Sequence, residues 1–173
     1  SSSARLDLDV KAKLCDKLRC DLHECYGTSE IAIGTTLDMN GASRALGSVG
    51  IAAAGVEIKI LDDKDCIAPS GTIGEIVCKT PMLFEGYYKR EDATLEAMWG
   101  RYFRTGDLGY LDENEFLYFA GRKKEIIVTG GINIYPSDIE NALRGYPGLS
   151  EVAAFAVPDN NLGEVIGLAY VTD

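Results

Sequence analysis

The chain has 173 residues, 46% of them hydrophobic and 25% charged, which is enough apolar content to fold as one domain or as parts of two. Its net charge of −10 argues against general binding to nucleic acid or to an anionic membrane surface, so an anionic ligand would need a local basic site or a metal ion. The sequence contains no apolar run near the roughly 18 residues of a membrane span, and we expect a cytoplasmic protein without one.

The five cysteines are odd in number and include no C-x-x-C pair, which favours reduced cytosolic thiols. Cys15, Cys20 and Cys25 are spaced five residues apart, so a helix would not place them on one face. We therefore do not expect a metal site at these three residues.

The first predicted element is an amphipathic helix over residues 10–22, where apolar side chains recur at four-residue steps. A short segment then leads into a loop. Residues 47–119 show the alternation and the glycine-rich turns of strands, which predicts a small antiparallel sheet or barrel. Residues 55–63 and 72–79 alternate in this way, and residues 109–122 predict a hairpin turning at 112–114.

The last part of the chain predicts a second, mixed unit. Residues 125–136 form a predicted hairpin that turns at Gly130 and Gly131, and a helix is predicted over residues 137–148. Ser137 and Glu140 are spaced as a capping box at its start. Residues 150–159 and 164–173 predict apolar strands suited to burial on both faces. The predicted fold class is therefore α+β, with an antiparallel barrel or sheet portion followed by a partial α/β domain.

The stretch "YGTSE", residues 26–30, carries groups that could bind a nucleotide. A tyrosine face can stack on a purine, hydroxyls can contact phosphate oxygens, and a carboxylate can hold Mg²⁺. Taken alone, however, this stretch is better explained as a plain polar turn.

The stretch "YFRTGDLGYLD", residues 102–112, offers one carboxylate that could accept hydrogen bonds from both hydroxyls of a ribose. Gly106 permits a tight turn that would direct Asp107 outward. An aspartate that bonds its own turn backbone is an equally good interpretation. Arg122 follows fifteen residues later and offers a guanidinium fork to ribose or phosphate oxygens. For Lys123, a solvated turn is favoured.

In this order, these stretches resemble the motifs of the adenylate-forming superfamily, which includes acyl-CoA synthetases, peptide-synthetase adenylation domains and luciferases. The resemblance covers nearly the whole chain and also rests on "GEIVCKTPMLFEGYYKREDAT", "GRKKEIIVTGGINIYPSDIE" and "VPDNNLGEVIGLAYV". It implies an ATP-dependent ligase that activates a carboxylic acid as an acyl-adenylate and then transfers the acyl group to the thiol of coenzyme A. A carrier-protein-loading adenylation domain and a non-catalytic nucleotide-binding fragment remain alternatives.

The resemblance also implies roles for individual residues. Tyr26 would stack on adenine, Ser29 would contact the α-phosphate and Asp107 would hold the ribose diol of ATP or AMP. Thr28 occupies the variable position of its motif. The nucleotide-binding set implied by the resemblance is Tyr26, Gly27, Thr28, Ser29, Asp107 and Arg122.

The remaining implied roles concern the metal ion, the hinge and the thiol. Glu30 would hold Mg²⁺, and Lys124 would lie at the hinge about which a small domain swings between two half-reactions. Gly130 and Gly131 would approach the pantetheine arm of coenzyme A. The domains would be the back part of a large domain over residues 1–122, a hinge at 123–124 and an incomplete small domain over 125–173. The implied partners are a carboxylate, fatty or aryl, and coenzyme A, and a homodimer is left open.

The sequence also departs from the family pattern. It contains no hydroxyl- and glycine-rich loop ending in Pro-Lys, and "GASRALGSVG" is the nearest stretch. The lysine that the family carries near its C-terminus has no counterpart, and Val128 stands where many thioester-forming members have a lysine. "SSSA" resembles a segment lining the adenine and carboxylate pocket, and residues 31–34 could contribute to the acyl pocket. We expect the isolated chain to be inactive in adenylation.

Overall fold

The computed structural model describes residues 8–18, 22–38, 45 and 47–172. The chain divides into two compact units, residues 1–119 and 120–173. The stretch "SSSA", half of "GASRALGSVG" and Cys20 lie outside the described residues. None of the described helices is long and apolar enough to cross a membrane. The hinge assignment at residues 123–124 stays a prediction.

The described residues of the first unit form antiparallel strands and two short helices. Strands β1 to β3 form one sheet, and a second sheet has the order β4-β5-β7-β6 with β8 on β7. The predicted antiparallel sheet is thereby confirmed. The elements are α1 (Leu8–Lys17), β1 (His23–Tyr26), β2 (Thr35–Asp38), β3 (Ile51–Ala52), β4 (Glu57–Leu61), β5 (Gly74–Lys79), α2 (Glu91–Glu96), β6 (Met98–Trp99), β7 (Tyr102–Leu111) and β8 (Leu117–Arg122), whose last three residues belong to the second unit.

The first helix is shorter at its end than the sequence predicts. It ends at Lys17 rather than at Leu22, and the residues predicted as a lead into a loop form β1 instead. His23 pairs with Asp38, and the ladder runs from there to the pair between Tyr26 and Thr35. This segment is therefore a strand because it pairs with β2, which begins nine residues further along the chain. The pattern of apolar residues within the segment alone does not indicate that pairing.

Strand β5 is more buried than its alternation predicts. All five residues 74–78 are buried, because β5 lies between β4 and β7 in the sheet. Ile76 contributes to one buried cluster with Ile60 and Leu117, whereas Cys78 contributes to another with Phe103. A central strand covered on both faces reads as a continuous buried segment rather than as a half-exposed one.

The predicted hairpin after β7 is confirmed. The Asp112 carboxylate Oδ1 accepts hydrogen bonds from the backbone amides of Asn114 and Phe116, both at 2.9 Å. The Asp112 amide in turn donates to the Phe116 carbonyl at 3.0 Å. The turn is therefore held by one aspartate side chain, which is a common use of this residue in turns.

The second unit contains one helix and one sheet of order β10-β9-β12-β11. The predicted hairpin at Gly130 and Gly131 is confirmed by the pairing of β9 with β10. Strands β11 and β12 pair along almost their whole length, but in both strands only Ala154 is buried. The elements are a 3-10 turn (Lys123–Glu125), β9 (Ile127–Thr129), β10 (Ile132–Ile134), α3 (Pro136–Leu143), β11 (Leu149–Asp159) and β12 (Gly163–Thr172).

The predicted capping box at the start of α3 is wrong. The Ser137 hydroxyl donates to the Ala120 carbonyl at 2.6 Å, and Glu140 Oε1 accepts from the Ala154 amide at 3.0 Å. Both side chains therefore bond backbone outside the helix. Pro136 occupies the first turn, where its missing N–H costs nothing and its fixed φ suits a helix start.

Candidate functional site

The turn after β1 is tied together by its own backbone and by one hydroxyl. The Gly34 amide donates to the Tyr26 carbonyl at 2.8 Å, which closes the turn. Thr28 Oγ1 accepts a hydrogen bond from the Glu30 amide at 3.3 Å, so Thr28, the variable position of the motif, has a structural partner here. Ser29 is exposed. Ala32 has a left-handed φ of 56°. This conformation is unfavourable for any residue that has a Cβ atom, and it is often found near functional sites.

Gly27 is required by this turn for a steric reason. A Cβ built on Gly27 would lie 1.8 Å from the carbonyl oxygen of Ala32. Since that oxygen belongs to the backbone, no side-chain rotation could relieve the clash. The glycine of "YGTSE" is thus explained by the close approach of two backbone segments.

The stretch Thr105-Gly106-Asp107 forms a bulge within β7 rather than an outward turn. Glu75 pairs with Leu108 and Val77 pairs with Arg104, so one residue of β5 faces three residues of β7. Gly106, with φ of 70°, provides the left-handed conformation that this irregularity needs. The expectation that Asp107 is directed outward is wrong, because its exposed fraction is 4%.

The bulge directs Asp107 toward β1. The Tyr26 hydroxyl donates to Asp107 Oδ2 at 2.9 Å, which joins two motifs 81 residues apart. Thr105 Oγ1 accepts from the Asp107 amide at 3.1 Å and donates to the Ile76 carbonyl at 2.8 Å. Asp107 is therefore fixed by its own bulge and by the side chain of Tyr26.

Tyr26 is held as a neutral hydrogen-bond donor. Burial raises the pKa of its hydroxyl well above the ordinary value, and the negative charge of Asp107 raises that pKa further. Its ring lies at a tilt to Phe119, with 6.2 Å between ring centroids, and packs against the cluster of Ile60, Ile76 and Leu117. The ring is half-buried, and its stacking on adenine stays a prediction.

Glu30 is contacted by a residue to which sequence reasoning assigned no role. The Tyr87 hydroxyl donates to Glu30 Oε1 at 2.9 Å, and the Phe84 amide donates to the Glu30 carbonyl at 2.8 Å. The Phe84 and Tyr87 rings meet edge to face at 4.9 Å. Tyr87 belongs to the "GYY" of the motif segment that follows β5, but the sequence pattern does not indicate that it contacts Glu30.

The oxygen chemistry of Glu30 fits Mg²⁺. In the described ranges, no group of three or more His, Cys, Asp or Glu side chains is arranged to hold a metal ion. Mg²⁺ does not need such a cage, because it is commonly bound through one or two carboxylates together with substrate phosphates and water. A partly buried single carboxylate with an oriented oxygen is compatible with that mode.

The other predicted site residues lie in the second unit. Arg122 ends β8 and Lys124 lies in the following 3-10 turn, and both side chains are exposed. Gly130 and Gly131 have φ values of 56° and 84°, so they form the two-residue turn in which both central residues have positive φ. The structure thus brings Tyr26 and Asp107 together, and the contribution of Arg122 to the same site stays a prediction.

Comparison with known proteins gives a family match. Residues 1–88 match the family described as AMP-binding enzyme. A long-chain-fatty-acid–CoA ligase of Escherichia coli O6:H1 is 37% identical over 150 residues, which cover 87% of this chain and 27% of that protein. The chain thus spans little more than a quarter of the length of this relative.

Solved structures show the same fold at higher coverage. ATP-bound MatB from Rhodopseudomonas palustris is 33% identical with a TM-score of 0.90, over 99% of this chain and 34% of that one. The o-succinylbenzoate CoA synthetase MenE from Bacillus subtilis, in complex with its acyl-adenylate intermediate, is 30% identical with a TM-score of 0.90, over 99% of this chain and 35% of that one.

Proposed function

The chain belongs to the AMP-binding enzyme family, and from this premise we propose that it is part of an ATP-dependent carboxylate–CoA ligase. The observation that carries the proposal is the hydrogen bond from Tyr26 to Asp107, which brings two widely separated motifs into one place. The similarity to CoA ligases that activate fatty and succinylbenzoic acids supports the same reaction class. The acyl substrate of this chain is a carboxylic acid, fatty or aryl.

The proposed domain arrangement follows the family. Residues 1–122 would form the back part of a large domain, including a portion of its barrel, and residues 125–173 would belong to a small domain. Lys124 would be the hinge between them, which its exposed position in a short turn supports. A swing of the small domain between half-reactions is a known kind of conformational gating.

In the first half-reaction, a carboxylate oxygen of the substrate bonds to the α-phosphorus of ATP, and the bond to pyrophosphate breaks. Asp107 would accept hydrogen bonds from the ribose hydroxyls. A carboxylate offers about four acceptor positions, of which the bond from Tyr26 uses one. Ser29 would donate to the α-phosphate, and Arg122 would contact the nucleotide. These groups position the reactants and balance charge without forming covalent bonds.

Glu30 would hold Mg²⁺ by its carboxylate, and Tyr87 would fix the rotamer of that carboxylate through its 2.9 Å hydrogen bond. When bound there, Mg²⁺ would neutralise phosphate charge and favour departure of pyrophosphate. In the second half-reaction, the sulfur of coenzyme A bonds to the acyl carbon and the carbon–oxygen bond to AMP breaks. AMP leaves with the electron pair, and the thiol proton passes to water.

The test of this proposal uses the complete parent protein. We expect carboxylate-dependent exchange between ATP and pyrophosphate and formation of an acyl-CoA thioester. The Asp107→Asn change should lower exchange by about 10- to 100-fold, the value of one or two charge-assisted hydrogen bonds. The control is Asp63→Ala, because Asp63 is exposed in the turn after β4. Circular dichroism would verify that both variants fold.

Two outcomes would favour the alternatives. Transfer of the acyl group to a carrier protein but not to coenzyme A would indicate a carrier-loading adenylation domain. Absence of AMP affinity in the folded parent, together with a silent Asp107→Asn change, would indicate a non-catalytic fragment. A panel of carboxylates in the exchange assay would then identify the acid.

A further inference from the structure

We propose that Glu164 is a positioning residue that holds the Gly130–Gly131 hairpin in place for the thiol-transfer step. The hairpin consists of β9, the two glycines and β10, and Glu164 lies near the start of β12. The structural part of the proposal depends only on contacts within the second unit. The part that concerns the thiol rests on the proposed function.

Ile127, at the start of β9, is fully buried, but the tip of the hairpin has few packing contacts. The two glycines have no side chains to pack, and both are exposed. Val128 and Ile132, which flank the turn, have exposed fractions of 44% and 65%. The turn geometry is set locally by the two positive φ values, but the position of the tip on the sheet depends on contacts beyond the burial of Ile127.

Backbone pairing between β9 and β12 is limited to one residue pair. Gly163 pairs with Thr129, and the ladder between these strands extends no further. Beside that pair, the Gly130 amide donates to the Leu162 carbonyl at 2.9 Å. The Gly130 end of the hairpin is thus bonded to the residues at the start of β12, whereas the ladder with β12 gives the Val128 amide no backbone partner.

Glu164 supplies that partner through its side chain. In a two-residue hairpin, the residues that flank the turn exchange both hydrogen bonds, and the next pair does not. Thr129 and Ile132 flank the turn, so Val128, which pairs with Asn133, directs its amide away from β10. That amide donates to Glu164 Oε2 at 2.7 Å. The bond has an ionised acceptor and is short, which are the marks of the stronger class of hydrogen bond.

The segment that presents Leu162 and Glu164 is itself fixed. Asp159 Oδ1 accepts hydrogen bonds from the amides of Asn161 and Leu162 at 2.8 Å and 2.9 Å. These bonds, the Leu162 amide first, lower the pKa of the Asp159 carboxyl, so the turn is maintained at neutral pH. Asp159 therefore orders the turn, and the turn aims the Leu162 carbonyl and the Glu164 carboxylate at the hairpin.

Loss of the Glu164 contact should affect one of the two half-reactions and not the other. A thiol that attacks the acyl carbon must be placed to within about an ångström, and loss of such placement lowers the rate without changing the chemistry. Adenylation does not use the hairpin in the proposed mechanism. Loosening the hairpin should therefore slow thioester formation and spare the exchange of pyrophosphate.

The first measurement is amide hydrogen exchange in the 173-residue chain, which needs no activity. Glu164→Ala should accelerate exchange at the Val128 amide by about 10-fold, the size expected for one lost charge-assisted bond. Glu164→Gln should restore part of the protection, because its amide oxygen can still accept. The matched control is Glu151→Ala, which removes the same charge from an exposed position on β11 of the same sheet. Unchanged exchange at Val128 in Glu164→Ala would overturn the proposal.

The second measurement separates the half-reactions in the complete parent. Glu164→Ala should raise KM for coenzyme A or lower the rate of thioester formation by about 10-fold, while pyrophosphate exchange stays within about twofold of the unaltered protein. Equal losses in both half-reactions, or behaviour like Glu151→Ala in both, would refute the role. If the unaltered parent shows no pyrophosphate exchange, the ligase proposal and the thiol role fall together, and hydrogen exchange then decides the structural part alone.

Discussion

The Tyr26 hydroxyl and the Asp107 carboxylate form a hydrogen bond of 2.9 Å between the end of β1 and a bulge in β7. Asp107 has an exposed fraction of only 4%, so the carboxylate depends on this donor and on its other protein contacts. Tyr26→Phe removes the donor and keeps the ring. We expect it to lower the free energy of unfolding by about 1 to 3 kcal/mol, the cost of losing a bond to a buried charged group. Urea denaturation measures this loss.

The control for this prediction is Tyr110→Phe. Tyr110 lies on the same strand as Asp107, and its ring stacks on Tyr118 at 4.8 Å with an interplanar angle of 6°. Removal of its hydroxyl should change stability by less than about 0.5 kcal/mol. A double-mutant cycle with Asp107→Asn should give a coupling energy above about 0.5 kcal/mol. Additive effects in that cycle would mean that the two side chains do not interact in solution.

A second prediction concerns the two glycines of the turn after β1. A Cβ on Gly27 would meet the Ala32 carbonyl oxygen at 1.8 Å, whereas the atoms nearest to a Cβ on Gly34 would be Ile31 Cδ1 at 3.3 Å and the Tyr26 carbonyl oxygen at 3.4 Å. Gly27→Ala should therefore destabilise the protein by about 3 kcal/mol or more, the upper range for overpacking. Gly34→Ala should cost less than about 1 kcal/mol, because small shifts relieve its contact and the unfolded chain loses entropy. Equal denaturation midpoints for the two variants would contradict the close approach.

A third prediction compares two arginines. Arg104 contacts Glu75 at 2.8 Å and Asp65 at 2.6 Å, and the side chains of Arg104 and Glu75 are 20% and 8% exposed. Arg104→Met should lower the free energy of unfolding by about 3 kcal/mol, because it leaves a buried carboxylate without its cation.

The matched change is Arg90→Met. Arg90 and Asp92 form an ion pair with side chains 64% and 67% exposed. Water and salt screen such pairs, so the loss of stability should be close to zero. Thermal and urea unfolding at two salt concentrations would compare the variants. An Arg104→Met protein as stable as Arg90→Met would show that the pairing with Glu75 contributes nothing.

The parts of the fold that the sequence predicts are those with local causes. Alternation located β4, an aspartate located the turn at 112–114, and the Gly-Gly pair located the turn of the β9–β10 hairpin. The predictions were wrong where contacts with residues far away in the chain determine the burial of a strand or the hydrogen bond of a side chain. Strand β5 is buried on both faces because of its neighbours β4 and β7, and Ser137 bonds the Ala120 carbonyl instead of capping its helix.

In the candidate site, the sequence likewise predicts which residues take part but not the contacts between them. Residue types and motif order singled out Tyr26, Glu30 and Asp107. The bulge that turns Asp107 inward depends on the register between β5 and β7, and the bond from Tyr87 to Glu30 spans 57 residues. Neither has a periodic signal in the sequence, because both follow from the packing of segments that are far apart in the chain.

The last prediction concerns Cys78, which is fully buried in the cluster with Ile31, Val56 and Phe103. Burial raises the pKa of its thiol from the ordinary value of 9.0 to about 11. Between these values the unfolded chain releases the proton first, so this thiol contributes its full stability below pH 9 and loses it as the pH rises toward 11. The folded state should lose about 2 to 3 kcal/mol over this window because of Cys78.

The measurement is the free energy of unfolding between pH 8 and pH 11 in the unaltered chain, Cys78→Ala and Cys66→Ala. Cys78→Ala should carry a constant cost from its cavity but a flatter dependence on pH. Cys66 is exposed, so Cys66→Ala is the control for removing a thiol outside the core. At neutral pH, iodoacetamide should modify Cys66 well before Cys78, as peptide mapping would show, because the thiolate is the reactive form and the buried thiol is seldom ionised. Rapid labelling of Cys78 in the folded chain, or a pH dependence that Cys78→Ala leaves wholly unchanged, would show that the cluster around this thiol is open to water.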